Sequence, residues 1–328
     1  MYSLEVIKRG IAEFSHAVNL IKKEYGGGNI YYKIDMLWCL FWYGARPLDY
    51  WRFEFFKKSS FERNRFETYY RQLNLIKKMQ KSVGGSIIIA DNKEWEYRTY
   101  SKFIKRNWLL LYPTDSQEKV YTFINQYNRI FAKPTGEALG RGARIVDCKN
   151  KSQIEKLLED LKCKPFLLEE CLENVEWLKQ INPTSLNTLR VFSIVDSKGN
   201  TQVFECLLRA GTKGMNIDNW GAGGIVYHVD LKTGIIDRPG VDKCGNKYIY
   251  HLDSNIKMVG FSIPNIHDIV DYVCQLAKVV PSARVVGWDI AITNKGLDFV
   301  EMNCPGGHDI LQAFGEPYYD YIKKILND

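Results

Sequence analysis

The chain has 328 residues, of which 45% are hydrophobic and 25% charged, and a net charge of +7. That profile belongs to a soluble globular protein with room for two or three subdomains, and the scattered lysine pairs (Lys57-Lys58, Lys77-Lys78, Lys323-Lys324) read as solvated faces. No aromatic-basic repeat or DNA-reading motif is present, which excludes a dedicated nucleic-acid binder and leaves anionic small molecules such as nucleotides as suitable ligands. The eight cysteines stand singly, without C-x-x-C pairs or zinc spacing, and no signal peptide opens the chain. Reduced thiols and a cytoplasmic location are therefore expected.

Residues 1–90 read as a helical, aromatic-rich region. Leu4–Tyr25 has an amphipathic period that stops at Gly26-Gly27-Gly28. A second helix is expected over Tyr31–Tyr43 and a third over Phe61–Lys81, before Gly84-Gly85. The most apolar run, Met36–Ala45, is too short to cross a bilayer. Burial is expected for it, with a peripheral position at a membrane surface left open. Asp91-Asn92 can cap a helix from Lys93 to about Arg106. Strands then follow at Trp108–Tyr112, Arg129–Lys133, Ala143–Asp147 and Pro165–Cys171, with a helix over Ser152–Leu161. Residues 166–328 are strand-rich, at Leu189–Val195, Val203–Ala210 and Gly224–Val229, with helices over Asp268–Val279 and Tyr318–Leu326. The pattern is α+β, divided into 1–90, 91–165 and 166–328.

Val285–Thr293 and Leu297–Asn303 read as a β-hairpin around Asn294-Lys295-Gly296. With those three residues as the loop, Thr293 faces Leu297 and Asp289 lies opposite Glu301, with Asn303 on the same face. Trp288, Ile290, Val300 and Met302 then point into a core. Like charges opposed across a sheet repel. Either this is a solvated face, or a hard cation such as Mg²⁺ or Mn²⁺ sits among the oxygen donors Asp289, Glu301 and Asn303.

Upstream, Phe131–Ile145 places Lys133 at a strand end before Gly136, Gly140 and Gly142. Such a loop lets backbone N–H groups approach phosphate oxygens, or is simply a surface turn; it lacks the Gly-Lys-Ser/Thr of a Walker loop. Pro165–Trp177 then runs from an apolar strand into acids. Backbone groups near Glu170 and Leu172 can read an adenine with Glu169 near its amine, and Glu176 can accept from ribose hydroxyls. Read singly, these acids are solvated residues.

Taken in order, strand lysine, glycine loop, E-E-x-L with a later Glu, and Asp289 followed by Glu301-x-Asn303 resemble the ATP-grasp superfamily over about residues 91–310. The finer pattern is similar to its sugar-transfer-associated family, found with bacterial surface-polysaccharide genes. SLNTLRV (Ser185–Val191), LLRAGTKGMNIDNWGAGGIVYHVDLKTG (Leu207–Gly234), GWDIAIT (Gly287–Thr293), RPLDYWRFEFF (Arg46–Phe56) and FERNRF (Phe61–Phe66) carry that likeness to nearly the whole chain.

The resemblance implies an ATP-grasp fold, two α+β subdomains clamping ATP beside the helical N-terminal region. It assigns Lys133 and Lys93 to the phosphates, with Lys102 the alternative to Lys93, and gives the glycine loop with Gly140 and Gly142 to the same end of the nucleotide. Glu169, Glu170, Leu172 and Glu176 form the nucleotide pocket, and Asp289, Glu301 and Asn303 hold Mg²⁺. Arg190 and Arg209 face the transferred phosphate or an acceptor carboxylate and, with Lys133 on the α- and β-phosphates, make up the implied catalytic set. Peptide-ligase relatives carry an arginine where this chain has Gly287, so another cation must meet that charge, with Arg209 or Arg190 as candidates, and whether the catalysed step matches those ligases is left open. Gly211–Gly224 becomes a lid with Lys213 and Asn216 near the phosphate. His308 either touches substrate or is structural, and Cys304 is a packing residue. The activity implied is an ATP-dependent ligase that makes an acyl phosphate and joins it to an amine on a sugar or polysaccharide precursor. A kinase acting on a hydroxyl, or a non-catalytic nucleotide-binding subunit, is the alternative. The partner expected is a small-molecule or sugar-linked substrate.

Overall fold

A computed structural model describes residues 4–26, 29–82, 92–136, 142–212 and 220–327. Asp91, Gly140, Lys213 and Asn216 lie outside these, as does half of the expected lid, residues 213–219.

The N-terminal region is built from α1 (Leu4–Tyr25), α2 (Asn29–Tyr43), α3 (Pro47–Arg52), α4 (Ser60–Asn64) and α5 (Tyr69–Ser82). Proline at the first position of α3 presets its dihedral, and Asp49 accepts the Arg46 N–H at 3.0 Å. These helices close around Tyr50, Phe53, Phe55 and Phe66, which are almost wholly buried. The continuous helix expected over Phe61–Lys81 is two helices. Tertiary bonds claim the backbone between them: Glu67 N–H donates to Gln312 (3.0 Å) and Tyr69 N–H to Asp49 (3.0 Å). Ser59 caps α4 in a reciprocal box with Glu62.

α6 (Lys93–Thr99) starts where expected, with the Asn92 side chain accepting from Trp95 N–H at 3.1 Å, but it stops seven residues early. A 3-10 turn at Ser101–Phe103 follows, and the Lys105 and Arg106 N–H groups donate to Asp298 at 3.1 and 2.9 Å. A buried carboxylate thus replaces the last helical turn and draws Arg106 inward.

Among the described residues the strands form two antiparallel sheets. The smaller holds β1 (Trp108–Leu111), β2 (Arg129–Pro134), β3 (Arg144–Asp147) and β4 (Phe166–Glu170) in the order β1-β4-β2-β3. α7 (Gln117–Ile124) and α8 (Lys151–Cys163) cover one face, over Ile130, Ala132, Val146 and Leu168. Alternation turns Lys133 and Glu169 to the opposite face.

A short helix, α9 (Glu176–Lys179), leads to the larger sheet. It comprises β5 (Thr188–Val195), β6 (Thr201–Ala210), β7 (Ile225–His228), β8 (Gly240–Val241), β9 (Lys247–Tyr248), β10 (Val285–Thr293) and β11 (Gly296–Asn303). Its order is β11-β10-β5-β6-β7-β8-β9. α10 (Ile266–Val279) packs on Leu189, Val191 and Leu208, while α11 (His308–Leu311) and α12 (Tyr319–Asn327) lie over Phe192, Leu207 and Val226. Cover on both faces explains why every residue of β5 is buried, including the polar Thr188, Arg190 and Ser193.

The hairpin pairs Asp289 with Glu301 by a different route from the one expected. The turn holds two residues, so Thr293 pairs with Gly296 rather than Leu297. A β-bulge beside Asp289 then inserts Val300 and restores the Asp289–Glu301 register. The core side therefore receives Phe299 opposite Ile290, and Val300 is only partly buried.

Candidate functional site

Two sets of buried charges meet where the smaller sheet and α6 approach the β10–β11 edge of the larger one. Arg106 is the tie. Its Nε donates to Glu169 Oε1 on β4 at 2.5 Å, one terminal nitrogen donates to Asp298 on β11, and the same nitrogen donates to Phe299 O at 2.7 Å. Tyr97 on α6 donates to Glu169 and accepts from Arg106. Lys133 donates to the other Glu169 oxygen at 2.8 Å and to Tyr97 Oη at 2.9 Å. Burial alone would raise the Glu169 carboxyl, but Lys133 and Arg106 hold it down to about 2. Glu169 therefore spends one oxygen on Arg106 and Tyr97 and the other on Lys133.

One helical turn before Tyr97, Lys93 donates to Glu301 and, at 3.3 Å, to Glu96. Glu96 in turn accepts from Met302 N–H. Burial dominates at Glu96 and pushes it up to about 7, against the pull of Lys93 and with help from Glu301. Burial would depress the Lys93 ammonium, yet Glu96 and Glu301 raise it, so it stays a cation. Lys93 is buried among these acids while Lys102 is exposed on the 3-10 turn, so only Lys93 is brought into the site.

The third set lies on the face of the larger sheet that carries Asp289. Arg190, its cross-strand neighbour on β5, donates through Nε at 2.6 Å and Nη2 at 3.0 Å to the two Asp289 oxygens. Arg209 on β6 adds a bond at 2.6 Å, and the Asn303 amide lies 3.4 Å away. Burial opposes ionisation of Asp289, but Arg190 and then Arg209 keep it down to about 2. Arg190 crosses the space above Gly287. A Cβ there would come within 2.9 Å of Arg190 Cδ and 3.0 Å of Gly306 Cα. A side chain at 287 would thus collide with Arg190, which reaches over from the next strand and also donates to Gly306 O at 2.8 Å.

Asp289, Glu301 and Asn303 share one face at the sheet edge and offer only oxygen donors, a set that fits Mg²⁺ or Mn²⁺. Among the described residues Asp289 Oδ1 accepts one guanidinium bond, which leaves it acceptor capacity for a cation. The Glu301 side chain is 41% exposed. Among the described residues no group of three or more His, Cys, Asp or Glu side chains is placed to hold a metal ion, and this set has two carboxylates and an amide.

The remaining expected residues are spread around this centre. Glu170 ends β4, accepting from Lys295 at 2.6 Å and from Asn107 N–H at 3.1 Å. Leu172 follows in an extended segment, Glu176 is exposed at the start of α9, and Gly142 has φ +72° before β3. Cys304 is desolvated and pushed up to about 12, as suits packing. His308 bonds Asp49 at 2.8 Å and Gln72 at 3.3 Å, so it locks the N-terminal region to the larger sheet. Tyr97, Glu96, Arg106 and Asp298 were not singled out by the sequence. Tyr97 and Glu96 follow Lys93 at helical spacing and could have been found so; Arg106 and Asp298 carry no local signal.

The family described as sugar-transfer associated ATP-grasp matches residues 54–317. No curated protein gives a significant sequence match. Among solved structures, D-alanyl-alanine synthetase A from Vibrio cholerae is 11% identical, with 73% of this chain and 64% of that chain covered and a TM-score of 0.46. The ATP-grasp ligase PsnB with minimal precursor, Mg and ADP is 14% identical over 72% of this chain and 59% of that one, at 0.43. An ADP complex of purK, N5-carboxyaminoimidazole ribonucleotide synthetase, is 13% identical over 67% and 46%, also at 0.43. The chain spans about half the length of the last and less than two thirds of the other two.

Proposed function

Because the chain belongs to the sugar-transfer associated ATP-grasp family and has its ATP-grasp fold, we propose that it is an ATP-dependent carboxylate–amine ligase. The observation that carries the reading is the convergence of Lys93, Lys133, Arg190 and Arg209 on the acids Glu169, Asp289 and Glu301 between two sheets. Four cations held in place by these carboxylates are suited to receive a polyphosphate, whose oxygens add further charge-assisted bonds to them. Lys133, steadied by Glu169, and Lys93 bind the phosphates. Glu170, Leu172 and Glu176 border the nucleoside end, with Gly142 beside the phosphate end.

Asp289, Glu301 and Asn303 would hold Mg²⁺, which when bound neutralises phosphate charge and orients the transferred group. Arg190 and Arg209 face the γ-phosphoryl group or the acceptor carboxylate. A substrate carboxylate oxygen attacks the γ-phosphorus and ADP leaves; an amine then attacks the acyl carbon, loses a proton, and phosphate departs. Such chemistry relies on positioning and charge rather than on a protein nucleophile. Family context points to a sugar or surface-polysaccharide precursor as the acceptor.

The test is ¹⁸O transfer. With a labelled carboxylate and amine drawn from the organism's own surface polysaccharide, the label appears in inorganic phosphate. ADP release with label-free phosphate contradicts the acyl phosphate, and a phosphorylated acceptor identifies a kinase.

A further inference from the structure

α2 departs from the burial its composition leads one to expect. Met36, Cys39 and Tyr43 face inward, but Ile30, Ile34, Leu37, Trp38, Phe41 and Trp42 form an outward stripe at helical spacing. Phe41 is 84% and Trp42 69% exposed. Trp38 and Trp42 stack on each other, with centroids 5.4 Å apart and planes 8° from parallel. The helix's single acid, Asp35, is turned away into a two-point pair with Arg63 at 2.7 and 2.8 Å, leaving Lys33 as the charge on the outer side. A contiguous apolar face of this kind marks an interaction surface.

Charge identifies the occupant. Residues 1–90 hold 15 Lys and Arg against 8 Asp and Glu, so the whole +7 of the chain resides there, and residues 91–328 balance. The basic groups flank the stripe. At its N-terminal end, Lys22 and Lys23 are exposed in the last turn of α1, and Lys57 lies 3.9 Å over the Tyr25 ring. Past its C-terminal end, Arg71 stands over the Tyr43 ring, and further along α5 Lys77, Lys78 and Lys81 line with it an open cleft that takes in Tyr319 of α12. Tryptophan and tyrosine prefer the headgroup level of a bilayer, and lysines beside them are drawn to anionic lipid.

We propose that the outer face of α2, with these flanking basic residues, docks the protein on the surface of an anionic lipid bilayer, α2 lying in the interfacial plane. The proposal is independent of the reaction assigned above.

Full-length protein is sedimented with vesicles of phosphatidylcholine containing about 30% phosphatidylglycerol. Wild type is expected to pellet with them, at least about tenfold more weakly with pure phosphatidylcholine or in about 0.5 M salt. Phe41→Ser with Trp42→Ser is expected to lose binding about tenfold at an unchanged melting temperature. Alanine at Lys77, Lys78 and Lys81 weakens it only on anionic vesicles, and Ile249→Ser, at an exposed site on the larger sheet's far side, binds as wild type. Absence of wild type from every pellet, equal binding to neutral vesicles, or binding untouched by the Phe41/Trp42 change overturns the proposal. So does a dimer that the same change dissociates, which makes a second copy the occupant.

Discussion

The site and the N-terminal region invert the ordinary partition of side chains in opposite senses. Between the two sheets, charge is buried: Arg106, Glu169, Asp289 and Asp298 are each almost inaccessible. On α2, aromatic surface is exposed instead. Buried charge and exposed apolar patches are the two departures that carry information about function. The first costs desolvation and survives because each ion has partners. The second contributes nothing to the isolated fold. Stability and activity should therefore respond to the first region, and surface behaviour to the second.

The largest effect should come at the residues proposed to hold Mg²⁺. Glu301→Gln is expected to lower ligase turnover on the order of 10²–10³-fold, as removal of one preorganised charge contact does, with the melting curve little changed. Steady-state kinetics beside thermal melting check it, and unaltered turnover would break the assignment of Glu301. Next is Arg106→Ala, which strands Glu169 and Asp298 without their shared cation and should cost roughly 3–5 kcal/mol in urea unfolding. A loss below about 1 kcal/mol would mean the tie between the sheets is wet and weak.

Glu96 gives a smaller effect with a definite sign. Its folded-state value of about 7 lies above the ordinary 4.5, so the folded protein holds that proton more tightly than the unfolded chain. Its stabilising contribution is complete below pH 4.5 and is lost as pH rises through 7. Glu96→Gln should flatten that part of the pH–stability curve. Glu169 and Asp289, held near 2, act oppositely, and their contribution disappears as pH falls from about 4 towards 2. The smallest effect sharpens the contrast between the regions: Trp42→Ser should move stability by no more than about 0.5 kcal/mol, whereas Trp288→Ala, in the core, should cost roughly 3–5 kcal/mol.

The strands were legible because their apolar runs are short and bounded by glycine and polar turns; β1, β2, β4 and β5 lie within a residue or two of expectation. The Asp289–Glu301 pairing was legible too, although a three-residue loop stood in for a two-residue turn plus the Val300 bulge. What escaped depends on distant partners. The gap between α4 and α5 exists because Gln312 and Asp49 bind its backbone, and Arg106 enters the site because Asp298, nearly two hundred residues away, caps the turn before it. Met36–Ala45 is apolar nearly all round, so its periodicity leaves open which side meets the protein.

Calorimetric titration of the ATP analogue AMP-PNP tests the central claim, that the space between the sheets receives a metal-bound nucleotide. Wild type should bind it with Mg²⁺ and markedly less well without, and Glu301→Gln should lose the increment that Mg²⁺ provides. Absence of binding, or a Mg²⁺ increment that survives in Glu301→Gln, would contradict the account.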